Sequence, residues 1–184
     1  MTLLQSPPGR WRWNSVIKPG ARINSGLPFF VSTTTVPING VNYKVTSIAA
    51  KAFKNNKKIN FISIGANVES IGAEAFSGCT KLKEIFIPKK TKSIGNKAFY
   101  RCTALTKITI SKGITSIGKS AFEGCSKLKT ITVKTTSLGK VGKNAIKGIN
   151  KKAVIKVPKK QLKKYQKLFC KKNVGYKKSM KVKK

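Results

Sequence analysis

The chain repeats itself every 23 residues, and no other property narrows its fold so far. An isoleucine in a Ser-Ile string recurs at Ile48, Ile71, Ile94 and Ile117, then as Val141 after one inserted residue. Five positions after each anchor stands a large apolar group: Phe53, Phe76, Phe99, Phe122 and Ile146. The residue before it is always alanine: Ala52, Ala75, Ala98, Ala121 and Ala145. A fixed period of this size marks a solenoid of stacked coils, in which each unit buries its apolar face only against its neighbours. Solenoids work through extended surfaces, so the repeat directs attention to a binding face rather than a catalytic pocket.

Within one repeat the roles are readable. Positions 11, 14 and 16 after the anchor spell L-x-x-I-x-I, as in Leu105, Ile108 and Ile110. The alternation predicts a short β-strand with both isoleucines inward. Val45, Val68, Thr91, Ile114 and Leu138, three residues before each anchor, are further inward candidates and accompany a second short strand. Glycine follows most anchors (Gly72, Gly95, Gly118, Gly142), which reads as backbone freedom for a tight corner. A brief helical stretch such as Ala73-Glu74-Ala75-Phe76 comes next. Its phenylalanines are expected to stack as a ladder along the convex side.

Three zones follow. Residues 1–34 have no period and are rich in Pro, Gly and Ser, an atypical or disordered leader. Residues 35–158 hold the repeats, preceded by a hairpin around Asn39-Gly40, a strong two-residue turn signal, expected to cap the stack. Residues 159–184 form a lysine-rich tail. Leu162, Tyr165, Leu168 and Phe169 share one face of a short helix there, suited to a C-terminal cap or to a membrane-surface or anionic partner. No run approaches the ~18 apolar residues of a membrane helix. Met1 to Ser32 lacks a signal-peptide core. The expectation is a chain not exported by that route, a fragment or a miscalled start.

Chemistry is scarce. There is no histidine and no aspartate, and the acids are Glu69, Glu74, Glu84 and Glu123 alone. That removes the usual general base and most metal ligands, so no catalytic residue, metal or cofactor is assigned. Cys79, Cys102 and Cys125 share one repeat position; their spacing comes from the period and not from a zinc pair. A buried column of thiols is the expectation, with disulfides between coils left open. Cys170 stands alone in the tail.

The string Ser93-Ile-Gly-Asn-Lys-Ala-Phe-Tyr-Arg-Cys-Thr-Ala-Leu-Thr-Lys-Ile-Thr-Ile110, matched by residues 70–87 and 116–133, resembles the BspA-like bacterial leucine-rich repeat family. The end from Val157-Pro158-Lys159-Lys160 onward is similar to the C-terminal ends of such proteins from gut anaerobes. The resemblance implies a leucine-rich repeat solenoid of about five repeats: short parallel β-strands, short helical or 3-10 turns, a hairpin cap and a helical cap. It also implies a non-enzymatic protein, at the cell surface or secreted, some relatives of which are adhesins for host matrix proteins or other cells.

With 40 Lys and Arg against four acids the net charge is +36. A solvated lysine coat and attraction to a polyanion both account for it. Only Arg10, Arg12, Arg22 and Arg101 are arginine, and lysine is poorer at bidentate phosphate recognition. Specific nucleic-acid binding is therefore not expected, though a basic nucleic-acid binder remains the alternative, beside a structural spacer of a larger surface protein. Positions 13 and 15 point outward if 14 and 16 point inward. Phe61, Ser63, Glu84, Phe86, Lys107, Thr109, Thr130, Thr132 and Lys156 are thus the candidate binding residues, alongside Val154. Their expected partner is a protein or an anionic polymer or glycan.

Overall fold

The computed structural model describes residues 35–38 and 41–184. The leader and the Asn39-Gly40 turn lie outside the described residues. The strands flanking that turn, β1 (Thr35–Ile38) and β2 (Val41–Lys44), pair antiparallel with Ile38 opposite Val41.

Every other strand among the described residues is parallel. The Ser-Ile anchors form β3 (Ser47–Ile48), β5 (Ser70–Ile71), β7 (Ser93–Ile94), β9 (Ser116–Ile117) and β11 (Lys140–Val141), one five-stranded sheet. The L-x-x-I-x-I strings form β4 (Phe61–Ser63), β6 (Glu84–Phe86), β8 (Lys107–Ile110), β10 (Thr130–Val133) and β12 (Val154–Lys156). β4 pairs with β6, and β8, β10 and β12 pair in turn. Between β6 and β8 the stack is bridged by the Thr106 amide to the Lys83 carbonyl (3.4 Å) and the Ser111 hydroxyl to the Ile87 carbonyl (2.5 Å).

The core lies between these sheets and is filled by the periodic positions. In one coil Ile94, Ala98, Phe99, Cys102, Leu105, Ile108 and Ile110 are all buried. Burying each large apolar side chain stabilises by about 1.5–3 kcal/mol, so one coil supplies several such increments only when its neighbours cover it. Phe53, Phe76, Phe99 and Phe122 stack with ring centroids 5.1, 5.4 and 5.5 Å apart and planes within 6°. Thr91, polar at an inward position, is satisfied because its hydroxyl donates to the Val68 carbonyl one coil earlier (2.8 Å).

The expected helical stretch is a run of tight turns whose amides alternate in destination. Ser77 and Cys79 donate three residues back, to Glu74 and Phe76. Glu74, Phe76 and Gly78 donate to Asn96, Ala98 and Tyr100 in the next coil. This alternation needs left-handed backbone at two positions per coil. The first is Lys51, Glu74, Lys97, Ser120 and Asn144, with φ from 54° to 61°. The second is Asn55, Gly78, Arg101, Gly124 and Gly148. Each non-glycine there costs roughly 1 kcal/mol, which the ladder between coils offsets.

The corner glycines are needed for a different reason from the one expected. Gly72, Gly95, Gly118 and Gly142 do not take positive φ. They lie so close to the preceding coil that a Cβ on Gly95 would sit 2.7 Å from the Ala73 nitrogen and from the Gly72 carbonyl carbon. Close approach of two backbones, not conformational freedom, fixes glycine at this corner.

Beyond Pro158 the chain makes a 3-10 turn (Lys159–Gln161) and then α1 (Leu162–Phe169). Tyr165 and Phe169 are buried and Leu162 and Leu168 pack beside them, so the apolar face of α1 is spent on the chain's own core. The Tyr165 hydroxyl donates to the Thr135 carbonyl (2.6 Å). The tail then does something its lysine content conceals. Val174 and Met180 are buried, and β13 (Lys181–Lys183) joins β12 in parallel, extending the sheet by one strand.

Candidate interaction face

Sheet register sorts the outward residues into two rows. Phe61 is opposite Glu84; Lys107, Thr130, Val154 and Lys181 are opposite one another in turn. Two residues further along the strands, Ser63 is opposite Phe86, and Thr109, Thr132, Lys156 and Lys183 follow. The buried row between them is Ile62, Ile85, Ile108, Ile131 and Ile155, with half-buried Val182 at its end. A period of two turns the flanking residues to the opposite face, so the nine candidates do share one surface.

Their exposure differs. Phe86 is 61% exposed, the one large hydrophobic so placed among the described residues. Lys107 and Lys156 are exposed; Phe61, Ser63, Glu84, Thr109, Thr130 and Thr132 are half-buried. Lys107 pairs with Glu84 at 3.0 Å across the bridge between β6 and β8. A pair this exposed contributes at most about 1 kcal/mol, but it neutralises the acid on this face. Lys181 and Lys183 belong to the same surface and are exposed. Sequence reasoning missed them because α1 interrupts the period; the Lys-Val-Lys alternation before the last residue was the available signal.

Charge grows along the stack. Residues 124–184 contain 21 lysines and no acidic residue. The glutamates lie earlier, and among the described residues three pair with lysines of neighbouring coils: Glu74 with Lys54 (2.5 Å), Glu84 with Lys107, and Glu123 with Lys147 (3.8 Å). The hydrogen bond from Lys54 holds the Glu74 carboxyl below its ordinary range.

The repeat cysteines are free thiols in a buried column. Cys79, Cys102 and Cys125 each donate to the carbonyl of a phenylalanine one coil back, at 3.0–3.1 Å. Desolvation raises Cys79 to about 11 and Cys125 to about 12, and raises Cys102 as well. Neutral at ordinary pH and sealed from solvent, they are packing groups rather than nucleophiles. Among the described residues no group of three or more His, Cys, Asp or Glu could hold a metal ion. No helix among them is long and apolar enough to cross a membrane.

Stacked coils with parallel strands from an L-x-x-I-x-I string, joined by turns, define a leucine-rich repeat solenoid. The chain belongs to the BspA-type leucine-rich repeat family, whose model matches six copies over residues 46–174. Among solved structures it is similar to a leucine-rich repeat protein of T. pallidum (29% identity, TM-score 0.58, 63% of this chain and 54% of that one). A leucine-rich cell surface protein from Faecalibacterium prausnitzii is similar at 27% identity and TM-score 0.59, over 70% of this chain and 37% of that one. The pneumococcal vaccine antigen PcpA, 19% identical with TM-score 0.54 over 82% of this chain and 48% of its own, shares the fold. The chain thus spans about half the length of the first of these structures or less of the second. No curated protein matches it significantly. The repeat family and its structural relatives are generally non-enzymatic interaction modules.

Proposed function

We propose that the chain is a binding and adhesion module of a bacterial surface or secreted protein, using the strand face for contact with a protein and the basic surface for an anionic polymer or glycan. The observation that supports this most is the pair of outward rows, in register across β4 and β6 and again across β8, β10, β12 and β13. An array of Phe, Thr and Lys held on paired strands presents contact groups without the ordering cost of loops. Exposed aromatics beside polar groups are the usual anchors of such contacts. In this reading residues 35–158 carry the recognition, and residues 159–184 contribute both packing and further surface.

The test is surface-plasmon binding of the immobilised full chain to extracellular-matrix proteins and cell-wall polymers at about 0.15 M salt, where long-range attraction is screened. Saturable binding that falls in a Phe86→Ser variant is the expected result. A folded sample with no saturable binding to either class would overturn the proposal. The lysine excess carries a second reading, simple polyanion attraction. It predicts binding to DNA and to polyphosphate alike, lost steeply as salt rises.

A further inference from the structure

The outward rows change chemistry in order along the stack. Phe86 stands exposed on β6, with half-buried Phe61 on the strand before it. Thr109, Thr130 and Thr132 occupy β8 and β10. Lys156, Lys181 and Lys183 stand exposed on β12 and β13. Glu84, the acid on this face, is tied to Lys107. No acidic residue lies beyond Glu123, so the three terminal lysines have no counter-charge in their own part of the chain.

We propose that this face takes an extended protein segment laid across the strands, with an apolar side chain on Phe86 and acidic side chains on Lys156, Lys181 and Lys183. The inference rests on the strand face being the binding face, and it names the kind of partner. Neighbouring strands lie about 4.8 Å apart, so β12 and β13 are roughly 14 and 19 Å from β6. An extended chain advances about 3.3–3.6 Å per residue, which puts the acids about four to six positions from the apolar anchor. Between them the threonine hydroxyls, each donor and acceptor, meet the peptide groups of the segment.

A pure polyanion fits less well. It would use the lysines and leave Phe86 in water, and these cations carry no aromatic platform between them on which bases could stack. Lysine rather than arginine at all three positions also fits a flexible acidic stretch, because a point charge accepts carboxylates from many directions while a guanidinium fork demands a fixed one.

The experiment is fluorescence anisotropy on the full chain with three labelled peptides of one composition. One places Trp about five residues before a run of three Glu, one sets the Glu run beside the Trp, and one scrambles both. At about 0.15 M salt the spaced peptide is expected to bind about tenfold tighter than the others. Phe86→Ser and the triple Lys156→Glu, Lys181→Glu, Lys183→Glu variant should each abolish that preference. An off-face triple of equal charge change, Lys92→Glu, Lys119→Glu and Lys143→Glu, should keep it, and circular dichroism melts confirm that each variant folds. Equal binding of the three peptides, or an equal loss in the off-face triple, would overturn the proposal. The two readings fail separately. If Phe86→Ser lowers binding to matrix proteins while the peptides are not discriminated, the spacing is wrong and the face stands. If neither face variant alters matrix-protein binding, the face itself is wrong.

Discussion

Removing one rung of the phenylalanine ladder should cost far more in the middle than at the first coil. Phe99 is fully buried between Phe76 and Phe122, at 5.4 and 5.5 Å. Phe99→Ala removes a buried aromatic, worth about 3–5 kcal/mol, and two stacked contacts of about 0.5–1.5 kcal/mol each that partly overlap with it; the net is about 4–6 kcal/mol. Phe53 is half-buried and stacks on Phe76 at 5.1 Å. Phe53→Ala should cost about half as much, near 2 kcal/mol, because less surface and fewer neighbours are lost. Position matters a second time, since a solenoid is held together only by contacts between adjacent coils. A void at Phe99 uncouples the coils on either side, so the guanidinium unfolding curve should broaden and its slope fall, while Phe53→Ala should shift the midpoint and leave the slope unchanged. Far-UV circular dichroism in a guanidinium titration measures both. Losses equal within about 1 kcal/mol, with equal slopes, would refute the ladder as a chain of coupled contacts.

Three further outcomes follow from the packing. Gly95→Ala would drive a Cβ to 2.7 Å from the Ala73 nitrogen, so the melting temperature should drop by the equivalent of about 1–3 kcal/mol or more; an unchanged melt would deny the close approach. Native chain treated with a thiol reagent at neutral pH should label Cys170 alone, with Cys79, Cys102 and Cys125 reacting only after unfolding; two or more fast thiols would contradict the buried column. Raised thiol pKa values mean the fold holds these cysteines protonated. The unfolded chain begins to release their protons above about pH 8.5, so their contribution to stability is complete below that pH and is lost as pH rises toward 11 and 12. Between pH 8 and 9.5 the wild type should lose more melting temperature than a Cys79→Ala, Cys102→Ala, Cys125→Ala variant, which keeps only Cys170 among the raised thiols, and parallel curves would sink the assignment.

Much of this was legible because the period repeats each inference. Ile62, Ile85, Ile108, Ile131 and Ile155 share one environment, and five agreeing positions outweigh any single propensity. The outward rows followed from the same alternation, which is why Phe61 to Lys156 fell on one face. What the sequence hid is non-local. Glycine at Gly72, Gly95, Gly118 and Gly142 looked like a turn signal, but its cause is a backbone 23 residues away. The left-handed residues gave no warning, since Lys51, Glu74, Lys97, Ser120 and Asn144 are of four different types at one place in the coil. Strand β13 escaped because α1 lengthens its coil and because Val182 stands where a pair of isoleucines would announce a strand. With it went Lys181 and Lys183, the most cationic part of the face.

The alternate amides that tie each turn to the next coil have a mechanical consequence. They lie along the stack, so a pull between the two ends bears on all the coils in series, and they give way one at a time. Each coil occupies about 4.8 Å of the axis when folded, and its 23 residues span about 80 Å when drawn out. A solenoid of this kind yields in steps under tension, lengthening many-fold while the remaining coils stay folded.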